Sequence, residues 1–330
     1  GIYFIGAFLL QKLGLIDKIN LFSNMVVFTS YGAQVLSSFL MLAMIFMVYP
    51  RAKVSAKRIN EVLDEKITLV DGKVDDVKDK GTVEFKNVSF QYPDADECLL
   101  ENISFKANKG ETIAFIGSTG SGKSTLINLI PRFYDVTSGK ILVDGVDVRD
   151  YKQSVLHNKI GYVSQKAVMF TGTVESNVDY GDSGKSITEE EIIKAIDVAQ
   201  GTDFVSKMED GYTSHIARGG TNVSGGQKQR LSIARAVAKN PEIYIFDDTF
   251  SALDYKTDYI LRKELREYTK DATCLIVAQR IGTIINADKI IVLDKGKCVG
   301  MGTHKELLKK CEVYKEIALS QLSEEELKNA

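Results

Sequence analysis

The first 49 residues are strongly apolar and contain one long uncharged segment, unlike the rest of the chain. Leu21–Tyr49 contains 29 residues and no charged side chain. As a helix at about 1.5 Å per residue it can cross a hydrocarbon core of about 30 Å. Arg51 and Lys53 follow directly, so the positive charge predicts that this end faces the cytoplasm. Gly1–Leu10 is also apolar but too short to span a bilayer. We therefore expect residues 1–65 to be the C-terminal part of a longer transmembrane domain, with a partial helix (1–10), an external loop (11–20), a helix (21–49) and a cytosolic extension (50–65).

One face of the long apolar segment carries polar side chains. Ser30, Gln34 and Ser37 recur at helical spacing. Such a stripe is compatible with a translocation path. It is also compatible with helix–helix packing through small residues such as Gly32 and Ser38. We favour packing slightly, because Ser in a membrane helix costs little and only Gln34 is costly there.

Beyond residue 81 the apolar positions follow the pattern of an α/β domain. Val83–Phe85, Val88–Phe90 and Ile103–Phe105 alternate with a period of two, which indicates strands. Thr112–Ile116 is an apolar run typical of a buried strand, and Leu126–Phe133 has helical spacing. Further buried strands are predicted at 141–143, 160–163, 243–246, 274–277 and 290–293, with helical patterns between them.

This alternation of strands and helices predicts a mainly parallel sheet with helices on both faces. The segment 71–81 is charged and has few large apolar residues, which is typical of a linker. We therefore expect a linker at 66–81, an α/β domain at 82–320 and a tail at 321–330.

The charge balance and the cysteines narrow the class of protein. Lys and Arg number 42 against 44 Asp and Glu, so no general basic field favours a nucleic-acid partner. None of the four cysteines forms a C-x-x-C pair. We expect them to be reduced, as in an intracellular domain.

A glycine-rich loop follows the strand at Thr112–Ile116 and opens a helix. Its sequence, GSTGSGKST, matches the P-loop pattern in the context that this motif requires. Backbone N–H groups of such a loop surround phosphates, and the helix N-terminus favours negative charge. We expect Lys123 to reach the β- and γ-phosphates of the bound ligand and Ser124 to bind Mg²⁺. The predicted phosphate-binding residues are Gly117, Ser118, Thr119, Gly120, Ser121, Gly122, Lys123, Ser124 and Thr125.

Two further segments carry candidate chemistry. The apolar strand at 243–246 ends in Asp247 and Asp248, and Asp247 is placed to hold Mg²⁺ directly or through water. The sequence NVSGGQKQR begins a helix with two glycines near its N-cap, which predicts a second anion-binding helix end. Its candidate residues are Ser224, Gly225, Gly226 and Gln227.

The NVSGGQKQR segment resembles the signature motif of the ATP-binding cassette (ABC) family, with Val223 where Leu is usual. The resemblance implies an ABC ATPase domain, a P-loop NTPase with an antiparallel β subdomain and a helical subdomain, preceded by a transmembrane helix of an exporter. It also implies that Gln165 is the glutamine that touches Mg²⁺, that Tyr92 stacks on adenine, and that Asp254 lies in the loop between two nucleotide sites.

The sequence departs from the family at both catalytic positions. Asp248 stands where hydrolytic sites carry Glu, and Gln279 stands where the family has a switch histidine. Gln can hydrogen-bond the γ-phosphate but cannot hold an extra proton. Many exporters also have Glu in place of Ala217. The chain therefore resembles the degenerate half of a heterodimeric multidrug-type exporter, which binds ATP well and hydrolyses it slowly.

The resemblance also implies a partner and a location. In this family two cassettes pack head to tail, so the favoured partner is a second exporter half-molecule, in the lipid of the cytoplasmic membrane, as a multi-pass protein with the ATPase domain in the cytoplasm. The transported substrate is left open. A homodimeric exporter that uses Asp248 as a weak base is the alternative. A nucleotide sensor that never transports is another. A soluble cassette ATPase acting on DNA or ribosomes is disfavoured by Leu21–Tyr49.

Overall fold

The computed structural model describes residues 1–10, 14–78, 80–180 and 186–321. The chain divides into two compact units, Gly1–Thr68 and Leu69–Ala330. Each unit has its own architecture and is described by itself below.

Two helices form the N-terminal unit. Helix α1 is Ile2–Leu10 and helix α2 is Leu15–Leu63. Within the described part of the chain, α2 is the one helix long and apolar enough to cross a membrane. The predicted external loop over 11–20 is wrong for residues 15–20, which are helical; Asp17 in the first turn favours a helix start because it complements the helix dipole. Residues 11–13 lie outside the described residues.

The remaining elements belong to the second unit. Its strands are β1 (Val83–Phe90), β2 (Leu100–Ala107), β3 (Thr112–Gly117), β4 (Ser138–Val143), β5 (Val146–Asp147), β6 (Ile160–Val163), β7 (Gly172–Thr173), β8 (His215–Ile216), β9 (Ile243–Asp247), β10 (Thr273–Val277), β11 (Lys289–Asp294) and β12 (Lys297–Gly302). Its helices are α3 (Lys123–Asn128), α4 (Gln153–Asn158), α5 (Val174–Val178), α6 (Glu189–Val198), α7 (Thr202–Val205), α8 (Gly225–Lys239), α9 (Tyr255–Tyr268), α10 (Ile281–Ile284), α11 (His304–Lys310) and α12 (Glu312–Gln321).

The central sheet has six strands in the order β12-β11-β3-β10-β9-β6. All neighbouring pairs are parallel except β11 with β12. Val277 of β10 lies opposite Asp247 of β9 and Phe115 of β3. The carboxyl ends of these strands therefore meet at one edge, which is where open α/β sheets bind ligands.

A smaller antiparallel sheet, in the order β2-β1-β4-β5, packs beside the central sheet. Val83 of β1 pairs with both Ala107 and Val143, and the rings of Phe85 and Phe105 stack 4.5 Å apart. The two period-two segments at 83–85 and 88–90 belong to the single strand β1. The strand at 141–143 is the end of β4, and it joins this antiparallel sheet.

Two other predicted segments differ in detail. The helix predicted at 126–133 is instead α3, which begins at Lys123 and ends at Asn128. Pro131 follows closely, and a proline disfavours helical backbone in the residue before it. Within the linker, Gly72, Lys73 and Val74 hydrogen-bond through their backbones to Asp150 and Tyr151. These linker residues are therefore attached to the second unit.

Candidate functional site

The glycine-rich loop lies between β3 and α3, at the carboxyl edge of the central sheet. Gly122 has φ +94°, and a Cβ there would meet the side chain of Leu100. This position therefore requires glycine. Lys123 begins α3 immediately afterwards, and its Nζ donates to the carbonyl oxygens of Gly117 (2.9 Å) and Ser118 (2.7 Å). Burial lowers the pKa of Lys123, and the carboxylates of Asp248 and Asp247 partly offset this effect.

Ser124 and Asp247 are in direct contact. Ser124 Oγ donates to Asp247 Oδ1 over 2.9 Å, across 123 positions of sequence. Burial raises the pKa of Asp247. Among the described residues no group of three His, Cys, Asp or Glu side chains could hold a metal ion by itself. One hydroxyl and one carboxylate are the sparse oxygen set with which proteins bind Mg²⁺ together with nucleotide phosphates, so these residues fit that ion.

Asp248 is held by two glutamine amides. Its Oδ2 accepts from Gln279 Nε2 over 2.6 Å and from Gln165 Nε2 over 3.1 Å. Asp248 has φ +45°, in the left-handed region that non-glycine residues seldom adopt. Burial raises its pKa, and the hydrogen bonds from Gln165 and Ser251 act in the opposite direction. Gln165 thus joins the site through Asp248, a contact that the sequence did not reveal.

Tyr92 lies at the edge of the P-loop. Its hydroxyl is 3.1 Å from Thr125 Oγ1, and its ring packs edge-on against Phe90 (4.8 Å) and Tyr134 (5.1 Å). Tyr134 was missed by sequence reasoning, because its proximity depends on the packing of the antiparallel sheet. The rings of Tyr92 and Tyr134 offer an aromatic surface on which a nucleobase could stack.

The remaining candidates lie at two helix N-termini. Ser224 caps α8: its Oγ accepts from Gln227 N (3.3 Å), and Gln227 Oε1 accepts from Ser224 N (2.8 Å). Gly225 and Gly226 form the first turn, and a Cβ on Gly226 would be 3.5 Å from the carbonyl oxygen of Ala252. Asp254 caps α9 by accepting from Thr257 N over 3.0 Å.

The structure brings some predicted residues together and keeps others apart. Hydrogen bonds join Ser124 to Asp247 and join Asp248 to Gln165 and Gln279, all beside the P-loop. Within the described ranges, neither hydrogen bonds nor ion pairs connect this cluster to Ser224, Gln227 or Asp254. Ser224 and Asp254 are exposed, so the α8 N-terminus is open to another molecule.

The fold and this geometry define a P-loop ATPase domain. Residues 100–251 match the family model described as "ABC transporter". This part of the chain is therefore similar to the ATP-binding domains of ABC transporters.

Curated relatives and a solved structure resemble the chain over most of its length. An uncharacterised ABC transporter ATP-binding protein of Mycobacterium tuberculosis is 47% identical over 304 residues, covering 90% of this chain and 52% of the relative. A Bacillus subtilis protein provisionally named a multidrug export ATP-binding/permease protein is 44% identical over 238 residues, covering 72% of this chain and 41% of the relative.

The structure of a bacterial Atm1-family ABC exporter with ATP bound matches with a TM-score of 0.76 and 31% identity, covering 95% of this chain and 54% of that chain. The chain spans about half the length of the curated relatives it matches.

Proposed function

We propose that this chain is the ATP-binding subunit of an ABC-type exporter. It binds Mg-ATP at an interface with a second half-molecule and drives export of a substrate across the cytoplasmic membrane. In this proposal α2 is one of several membrane helices surrounded by lipid, and the ATPase domain lies in the cytoplasm. The likeness to exporters and the apolar character of α2 support this assignment.

We further propose that the chain's own nucleotide site is slow. The observation that carries this is the pair of neutral amides, from Gln165 and Gln279, on one oxygen of Asp248. In hydrolysis a water oxygen forms a bond to the γ-phosphorus, and the bond between the γ-phosphorus and the oxygen bridging to the β-phosphate breaks. The attacking water passes a proton to a base. Asp248 is one methylene shorter than Glu, and neither amide can accept a proton. A positioned base contributes about 10²–10⁴ in rate, so weakening it leaves a binding site with little turnover.

The α8 N-terminus supports a paired arrangement. Ser224 and Gln227 form an intact capping box, and Ser224 and Gly225 are exposed to solvent. A helix N-terminus with accessible N–H groups favours phosphate. Since it does not contact the chain's own P-loop cluster, we propose that it completes the nucleotide site of the partner subunit. Hydrolysis then occurs chiefly at the partner's P-loop.

The test is to purify the chain alone and with its partner half-molecule, and to measure ATP retention and phosphate release. The proposal expects ATP binding with minimal hydrolysis by the chain alone, and fast hydrolysis by the pair. Brisk hydrolysis by the chain alone would favour the alternative, a homodimeric exporter in which Asp248 acts as a weak base. A chain that retains no ATP contradicts both. Transport into vesicles, with and without the partner, separates an exporter from a nucleotide sensor.

A further inference from the structure

The last described residue of α12 contacts the segment that carries Gln279. Gln321 Nε2 donates to the backbone oxygen of Gln279 over 2.8 Å, and Gln321 Oε1 accepts from the backbone N–H of Ile281 over 2.8 Å. The side chain of Gln321 therefore binds the backbone on both sides of Arg280, at residues that are 40 and 42 positions earlier in the sequence.

Apolar packing supports these two bonds. Ile281 and Ile284 of α10 and Tyr314 and Ala318 of α12 are buried in one apolar cluster over β3 and β11. Helix α10 has only four residues, and the first N–H groups of a helix have no partner inside it. Gln321 provides that partner for Ile281, so α12 restrains where α10 begins.

The restrained segment leads directly to the nucleotide site. Gln321 binds the backbone carbonyl of Gln279. The side-chain amide of this same Gln279 donates to Asp248. We infer that Gln321 is a positioning residue that sets the reach of Gln279 toward the γ-phosphate of ATP. This inference rests on the proposed function, in which Gln279 hydrogen-bonds that phosphate in the chain's own site.

A γ-phosphate role has a specific signature in nucleotide affinity. The full chain is titrated in detergent with Mg-AMP-PNP, which has a γ-phosphoryl group, and with Mg-ADP, which lacks one. Gln321→Met removes both hydrogen bonds at similar side-chain size. We expect it to weaken AMP-PNP binding about three- to tenfold, the effect of one net hydrogen bond, and to leave ADP binding unchanged.

Two comparisons make the result decisive. Ser320→Ala is the matched control, because among the described residues the Ser320 hydroxyl bonds to the Ile317 carbonyl of its own helix; it should alter neither affinity. In a Gln279→Ala background, Gln321→Met should have no further effect on AMP-PNP binding, because coupled residues are not additive.

Each other outcome overturns the inference. An equal loss of ADP and AMP-PNP affinity would show that Gln321 only supports folding. Unchanged affinity for both nucleotides, or an undiminished effect without Gln279, would contradict the positioning role while leaving the proposed function intact. A wild-type chain that binds neither nucleotide would contradict both proposals.

Discussion

The side-chain amide of Gln279 donates to Oδ2 of Asp248 over 2.6 Å. Two positions that are 31 residues apart, and that both depart from the family pattern, are thus direct partners. A carboxylate and a histidine at these positions could exchange a proton, whereas a carboxylate and an amide cannot. The two substitutions should therefore be tested together.

Restoring both groups should activate the chain's own site. We expect Asp248→Glu combined with Gln279→His to raise ATP hydrolysis by the assembled pair about twofold, because a second site gains a positioned base. Phosphate release by the pair is the measurement. Asp248→Asn with Gln279→His is the control, since it lacks a carboxylate base and should give no rise. An intact pair with unchanged activity after the double restoration would count against a degenerate site.

A bulky charge at the α8 N-terminus should abolish hydrolysis in the pair. Ser224→Arg places a cation and a long side chain where we propose that the partner's nucleotide binds, although Lys123 is untouched. ATPase activity of the pair should fall to background while the chain alone still binds ATP.

The matched control for this variant is Thr188→Arg. Thr188 also caps its helix, α6, through a capping box with Glu191, so both variants lose a cap worth about 1 kcal/mol. If Thr188→Arg were equally inactive, the loss would reflect folding and not the proposed interface.

A buried ion cluster should contribute strongly to stability. Lys159 Nζ lies 2.9 Å from Asp144 Oδ2 and 2.8 Å from Glu242 Oε1, and the side chain of Asp144 is fully buried. Lys159→Met leaves the buried Asp144 carboxylate without this cation, so we expect a loss of about 3–5 kcal/mol in the free energy of unfolding. Denaturant unfolding measures this.

A surface ion pair provides the comparison. Lys152 pairs with Asp75 at 2.7 Å, but the two side chains are 44% and 64% exposed, so Lys152→Met should change stability little. Adding Asp144→Asn to Lys159→Met should recover part of the loss, because one uncompensated charge is removed. Equal effects of Lys152→Met and Lys159→Met would refute the role of burial.

Acid should weaken the C-terminal helices through His304. The imidazole is buried, its Nδ1 is 2.7 Å from the Tyr314 hydroxyl, and its Nε2 has no partner among the described residues. Burial lowers the pKa of His304 below its usual value of about 6.5. The folded state therefore resists protonation. The contribution of neutral His304 to the free energy of unfolding is complete above about pH 6.5. It is lost as the pH falls from there through the folded-state pKa of His304.

Unfolding midpoints at pH 7.5 and 5 measure this effect. We expect His304→Gln to reduce the pH dependence of stability in this window. His215 is exposed on β8, so His215→Gln provides the same substitution at a surface histidine for comparison. If His304→Gln showed the same change in unfolding midpoint between pH 7.5 and 5 as the wild type, His304 would be excluded as the source of the pH dependence.

Local sequence was sufficient for the parts of the site that depend on a single turn. The P-loop, the capping residue Ser224 and the carboxylate pair at the end of β9 each follow from contiguous residue types, because phosphate binding at a helix N-terminus needs only a few adjacent backbone groups. The same holds for α2, whose apolar length alone marks it as a candidate span. The sequence placed the start of α2 at residue 21, whereas the helix begins at Leu15. Short polar segments such as 17–18 occur both in loops and in the first turns of helices.

Contacts between distant segments were decided only by the tertiary structure. The Ser124–Asp247 bond depends on β3 and β9 flanking β10 in parallel register, and strand order cannot be read from a run of apolar residues. The assignment of β4 to the antiparallel sheet, the placement of Tyr134 beside Tyr92, and the bonds from Gln321 to the segment around Arg280 have the same origin. Sequence determines which groups are available for chemistry, because residue type and backbone preference are local. The packing of sheets and helices decides which of those groups meet, because it depends on the burial of the whole apolar core.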